Sequence, residues 1–224
     1  MIRSIKKHYI ISSKIFRKFS ILWGFRSGCN MSRIAGLIPK KNRVIPYLDT
    51  AKIKHLLGTK RIVKDGFFFI ESQQASAKFG SIQIVMDCSI FNADDFPTPH
   101  KKTTDAQRVL LSISKIGIVR TLSKINGRFC FAAFDTKTNT AYLARDRFGL
   151  STLFYTCFDG LIAFSSRAKG LLAIPGVSNE LNNSFLKAAA AINYRFLDTN
   201  NSLSPFRDIK QVPPGTIIRF DDKK

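Results

Sequence analysis

The chain has 224 residues, 45% of them hydrophobic, which is enough to bury a core and excludes disorder as the dominant state. The 36 Lys and Arg against 15 Asp and Glu leave a formal net charge of +21, which admits nucleic acid, anionic lipid or another polyanion as a partner. No apolar run reaches the ~18 residues of a membrane-spanning helix, and Cys29, Cys88, Cys130 and Cys157 lack C-x-x-C spacing, which argues against a zinc ribbon or a dithiol redox motif. A reduced, cytoplasmic protein is the expectation that follows.

The charge is concentrated at the front. Arg3, Lys6, Lys7, Lys14, Arg17, Lys18, Arg26, Arg33, Lys40, Lys41 and Arg43 all precede Asp49, the first acid, so roughly half of the excess lies there. Residues 2–23 read as a basic amphipathic stretch, with Ile2, Ile5, Tyr9, Ile11, Ile15, Phe19 and Leu22 recurring mostly at three- and four-residue steps. Such a stretch fits a membrane-surface helix, an acid-free targeting segment, or residues ahead of the functional start. Residues 1–30 are therefore set apart as a basic extension, the one part through which nucleic acid or an anionic membrane is expected to bind.

Residues 31–39 form an apolar strand candidate. Between residues 40 and 64 no period emerges, and Pro46 and Gly58 read as interrupting any helix. Residues 66–70 and 81–86 are strand-like, and 92–104, with two prolines, is a loop. Asp105 is placed as the cap of a helix over 105–116, with Val109, Leu110, Ile113 and Ile116 as its buried stripe and Gly117 as its stop. A β series follows at 128–134, 141–145, 152–156 and 161–164, with turns at 135–139 and at Asp159-Gly160. Helices over 167–173 and 181–194 precede a last strand at 216–220. Clustered strands and helices without strict β-α alternation predict the α+β class.

The segments Ile125-Asn-Gly-Arg-Phe-Cys-Phe-Ala-Ala-Phe-Asp135 and Ala141-Tyr-Leu-Ala-Arg-Asp-Arg-Phe-Gly149 resemble the glutaminase domain of the asparagine synthetase family. The likeness continues through Leu153-Phe-Tyr155, Gly160-Leu-Ile-Ala-Phe-Ser165, Lys169-Gly-Leu-Leu172 and Val212-Pro-Pro-Gly215, and so spans most of residues 31–220. The resemblance implies a four-layer αββα sandwich of the N-terminal nucleophile hydrolase type. In that family the residue exposed by methionine removal is a Cys, whose thiolate attacks the side-chain amide of glutamine while its own α-amine serves as base. Met31-Ser32-Arg33-Ile34-Ala35-Gly36 aligns with the family's Met-Cys-Gly-Ile-Ala-Gly start. This places the functional start at Met31 and puts Ser32 at the nucleophile position.

Other family positions depart as well. The Asn-Gly pair that supplies the oxyanion hole aligns with Asp87 and Cys88, and a carboxylate accepts hydrogen bonds where the chemistry needs donors. The Arg that clamps the glutamine carboxylate has no counterpart between Pro39 and Phe79. The Asp that binds the substrate's α-amine is retained as Asp105 in Thr104-Asp-Ala-Gln107. Loss of nucleophile, oxyanion donor and clamp together predicts no glutaminase activity. An N-terminal serine nucleophile at Ser32, or a cut that exposes Cys29, are the two ways activity would survive.

Members of the family that lack the Cys include β-lactam synthetases and lasso-peptide cyclases, which adenylate a carboxylate with ATP and let an amine on the substrate attack it. Tyr194-Arg-Phe-Leu197, Ser204-Pro-Phe-Arg-Asp-Ile209 and Val212-Pro-Pro-Gly215 look most like the lasso-cyclase branch. The Ser-Gly-Gly-x-Asp-Ser pyrophosphatase loop of such enzymes is not in this chain. The expectation is an N-terminal portion of a longer enzyme or a free-standing scaffold for a separate synthetase. No cofactor is assigned to this chain, and ATP and Mg are expected on the synthetase domain or chain that would be its partner, with a precursor peptide as a further partner.

Plainer roles are expected for the remaining residues. Arg145, Asp146 and Arg147 read as buried structural ion pairs, His8, His55 and His100 as solvated residues without metal spacing, and Phe67, Phe68 and Phe69 as core. Cys88 and Cys130 read as small buried hydrophobes. The resulting prediction is a degenerate class II glutamine amidotransferase domain of an asparagine-synthetase-like, amide-forming ligase, of macrocyclase type and without glutaminase activity. A fragment of a glutamine-hydrolysing asparagine synthetase using Ser32, and a non-catalytic basic binding or scaffold module, are the alternatives.

Overall fold

Two antiparallel sheets account for most of the apolar side chains. The computed structural model describes residues 33–40, 45–58, 63–65, 67–70, 75–191 and 202–221; the basic extension 1–30 and Ser32 lie outside them. Strands β1 (Ile34–Pro39), β2 (Val63–Asp65), β3 (Phe68–Ile70), β4 (Ser76–Phe79), β5 (Ile82–Ile90), β6 (Gly127–Asp135), β7 (Thr140–Arg145), β8 (Phe154–Phe158), β9 (Leu161–Ser165), β10 (Lys210–Gln211) and β11 (Ile217–Phe220) are joined by helices α1 (Thr50–Leu57), α2 (Asp105–Ile116), α3 (Ile118–Lys124), α4 (Ala168–Leu171) and α5 (Asn183–Ala190). One sheet has the order β10-β8-β9-β1-β3-β2 and the other β11-β7-β6-β5-β4.

Side chains alternate across each strand, so each sheet has two apolar faces to cover. On β6, Cys130, Ala132 and Phe134 point between the sheets and meet Ile34 and Ile38 of β1, Phe68 of β3 and Phe164 of β9. Phe129, Phe131 and Ala133 of the same strand face Ala106, Val109, Leu110 and Ile113 of α2 and Leu122 of α3. The outer face of the six-stranded sheet is covered by α1, through Ile53 and Leu57 against Ala35, and by Leu171 of α4 against Leu37 and Ala163. The layers are therefore helix, sheet, sheet, helix, an α+β sandwich as expected.

Local chemistry explains several elements that the sequence patterns missed or misplaced. Helix α1 occupies part of the stretch read as aperiodic. Asp49 caps it by accepting from the N–H groups of Ala51 (2.8 Å) and Lys52 (3.2 Å), and Gly58, at φ 65°, ends it in the left-handed conformation. Gly58 is thus the helix stop rather than an interruption. The cap of α2 is Thr104, whose hydroxyl accepts from Gln107 N while the Gln107 side chain accepts from Thr104 N, a capping box. Asp105 is the first residue inside the helix, which corrects its assignment as the cap. Gly117 ends α2 and leads directly into α3, a helix not anticipated.

The expected β series is present with shifted ends. The β8–β9 hairpin turns at Asp159 (φ 44°) and Gly160 (φ 71°), two successive positive φ values that match the twist of the flanking strands. Strand β8 begins at Phe154 rather than residue 152, and α5 begins at Asn183, capped by Asn182 accepting from Phe185 N at 3.2 Å. No helix among the described residues is long and apolar enough to cross a membrane.

Candidate functional site

Of the residues singled out in the sequence, Asp87 lies in the space between the sheets. Alternation along β5 puts Val85 and Asp87 on the inter-sheet face and turns Cys88 toward the α2 and α3 side, where it packs against the core beneath those helices. Register pairs Asp87 with Cys130 on β6, and Cys130 in turn with Arg145 on β7. Arg128, two residues before Cys130 and on the same face, brings Nη1 to 3.8 Å from Asp87 Oδ2, both side chains being largely buried. Arg128 also donates to Ser151 Oγ at 3.4 Å. The inter-sheet space therefore ends in a row of acid, thiol and two guanidinium groups.

The thiol of this row is not a nucleophile. Cys130 is fully buried. Desolvation first, and the negative charge of Asp87 second, push its pKa far above the ordinary thiol range. A thiol held in that state presents almost no thiolate, the reactive form. Cys130 serves as a small core residue, as expected; Cys88 is only half-buried.

Arg145 and Asp146 are structural, but their hydrogen bonds go to backbone groups and Asp146 acts on the Arg145 guanidinium through charge alone, without a salt bridge, which corrects the expected ion pairs. Asp146, completely buried, accepts from the N–H groups of Phe148 (3.1 Å), Leu150 (2.9 Å), Ser151 (3.0 Å) and Phe129 (3.3 Å). Arg145 donates to the carbonyls of Ser151 (2.6 Å), Gly149 (2.6 Å) and Val212 (3.0 Å). The two side chains hold the loop after β7 in one shape and tie it to residues 212–215. Arg147 is exposed and donates to Ser123 O at 3.0 Å.

The remaining predicted residues are dispersed. Ser32 lies outside the described residues. Asp105 is half-buried at the start of α2, in the helical layer, whereas Asp87 is between the sheets. His55 and His100 are exposed, and among the described residues no group of three or more His, Cys, Asp or Glu is gathered to hold a metal. Phe68 is fully buried and Phe67 packs edge-on to Phe134, with ring centroids 5.1 Å apart. Arg128 is the site residue that the sequence reading missed. Its only signal was a lone basic residue opening an otherwise apolar strand.

Comparison with known proteins agrees with this architecture. The chain is 29% identical over 152 residues to the protein named asparagine synthetase [glutamine-hydrolyzing] 2 of Bacillus subtilis (strain 168), covering 63% of this chain and 20% of that relative. It is 34% identical over 80 residues to asparagine synthetase [glutamine-hydrolyzing] of Pongo abelii, covering 35% of this chain and 14% of the relative. The matches thus span a fifth or less of these relatives' lengths. A solved structure titled as the allosteric regulatory enzyme of purine biosynthesis superposes with a TM-score of 0.50 at 12% identity, covering 87% of this chain and 42% of that one, and shares the N-terminal nucleophile hydrolase fold. Residues 57–224 match the family model described as a glutamine amidotransferase domain. With this match over most of its length and the αββα architecture beneath it, the chain belongs to the glutamine amidotransferase domain family, and the curated relatives it is similar to are named asparagine synthetases.

Proposed function

We propose that this domain serves an ATP-dependent, amide-forming enzyme of the macrocyclising kind, and that it does not itself hydrolyse glutamine. The observation that carries the second half is Asp87, a largely buried carboxylate facing between the sheets beside Arg128. Amide hydrolysis places negative charge on the carbonyl oxygen of the tetrahedral intermediate, and catalysis requires donors aimed at that oxygen. An ionised carboxylate offers lone pairs and repulsion instead. Ser32 adds to the deficit, since a hydroxyl is a weaker nucleophile than a thiol and depends more on an activating base.

The macrocyclase reading rests on the same deficit. An enzyme whose attacking amine is already on its substrate needs no ammonia, and so tolerates loss of the glutaminase. The 204–215 segment, similar to the lasso-cyclase branch, supports it. ATP, Mg and the adenylation step are assigned to a synthetase domain or chain as partner, with a precursor peptide as substrate.

The test is glutamate release from glutamine by the full chain and by its Ser32→Ala variant, with intact mass identifying the N-terminal residue of each preparation. Equal, background release from both is the expected result. Turnover that disappears in Ser32→Ala would establish a serine nucleophile and overturn the proposal.

A further inference from the structure

Exposed apolar side chains concentrate around the end of α3. Phe91 just beyond β5, Val119 on α3 itself, and Phe148 and Leu150 in the loop after β7 make up half of the large apolar side chains exposed among the described residues. Phe148 is 81% exposed and Phe91 62%. Hydrogen bonds bring the two aromatic segments to the same place. Phe91 N donates to Asn126 O at 2.8 Å and Asn92 Nδ2 to Lys124 O at 3.0 Å, while Arg147 Nη2 reaches Ser123 O at 3.0 Å from the loop after β7.

Charge is sorted across this surface. On one flank, Asp94 and Asp95 follow Phe91, both exposed, and Asn92 Nδ2 also donates to Asp95 Oδ2 at 2.9 Å. On the other, the exposed Arg147 precedes Phe148, with Arg120 one turn back from Ser123; Lys124 stands between the flanks. Asp94, Asp95 and Arg147 make no ion pair among the described residues. Each flank thus carries one exposed aromatic beside charge of one sign. A two-fold axis between the flanks sets the acidic one of each copy against the basic one of the other, twice, which is the self-complementarity that a closed dimer requires.

We infer that the surface around the end of α3 is an interface between two copies of this chain, Phe91 and Asp95 of one facing Phe148 and Arg147 of the other. It stands whether or not glutamine is hydrolysed. The loop that carries Phe148 is already held in one shape by Asp146 and Arg145, so presenting the ring to a partner costs little ordering. Aromatic and Arg side chains are the types enriched at interface cores. The net charge of +21 opposes association at long range, but at physiological salt that repulsion is screened beyond about 8 Å, whereas buried contacts are screened much less.

The full chain is followed by sedimentation velocity over a concentration series up to about 100 μM at physiological salt, and a reversible dimer is expected. Phe148→Glu should weaken it about tenfold or more, and Phe79→Glu, an exposed aromatic at the opposite end of the five-stranded sheet, less than about twofold. Phe148→Ser, which adds no charge, should repeat the loss. Arg147→Glu discriminates by sign: it lowers the net charge by two, so general repulsion alone would strengthen association, whereas the proposed pairing weakens it. Asp95→Lys should also weaken the dimer, and Arg147→Glu combined with Asp95→Lys should recover most of the loss, because the pair is re-formed with its charges exchanged. A parent chain that stays monomeric would assign the surface to another occupant, such as a synthetase partner, and overturn the inference. So would a dimer indifferent to Phe148→Glu, which would place association elsewhere, or a double exchange that recovers nothing.

Discussion

Asp146 shows how a charged side chain can be structural without a salt bridge. Its two oxygens accept three N–H groups of the loop after β7, at Phe148, Leu150 and Ser151, and that of Phe129 on β6, so the carboxylate replaces solvent for these amides. Hydrogen bonds to a charged acceptor are among the stronger ones, and a buried donor left unmade costs its full desolvation. Asp146→Ala should lower unfolding free energy by about 3–5 kcal/mol, read as a shift of the urea midpoint at unchanged slope. At the same scale, Asp87 was singled out in the sequence, but Arg128 beside it was not. The two stand on strands separated in sequence by a loop and two helices, and nothing local reports the register that pairs Ser89 with Arg128. A tight hairpin does report its own register, which is why the turn at Asp159 and Gly160 could be read directly.

Among the elements, α2 owes its start to Thr104 rather than Asp105. The reciprocal Thr104 and Gln107 bonds satisfy two donors that the helix cannot satisfy itself. Thr104→Ala should therefore cost about 1 kcal/mol, and Asp105→Ala less, in equilibrium denaturation of the two variants. The pattern was present in the sequence as Thr-x-x-Gln, and the shift by one residue came from reading the acid as the cap. Helix α1 was missed for a different reason. It is short, with two buried residues, Ile53 and Leu57, so its period is weak, and its stability comes from packing on Ala35 and from the caps at Asp49 and Gly58. Punctuation by Pro46 and Gly58 marks the surroundings and end of a helix as readily as the absence of one.

Across the whole molecule, the two sheets close on each other only if β1, central in its sheet, leaves room for its neighbours. Gly36 provides that room. Its register partners are Phe164 on β9 and Phe68 on β3, and those rings meet edge-on across it with centroids 5.6 Å apart. A Cβ at Gly36 would fall 2.4 Å from the Phe164 ring and 2.9 Å from that of Phe68. Gly36→Ala should lower stability by about 1–3 kcal/mol through overpacking, with the loss reduced when Phe164→Leu is added, a coupling read from the double-mutant cycle in urea. The sequence by itself determined the class, most of the β series and the buried character of Cys130. These follow from period, turn chemistry and residue type, which act over a few neighbours. The tertiary structure alone decided that Asp87 lies beside Arg128, that Asp146 holds a loop of backbone amides, and that the segments of Phe91 and Phe148 meet at the end of α3. Each depends on register between segments far apart in the chain, and only packing of the two sheets sets that register.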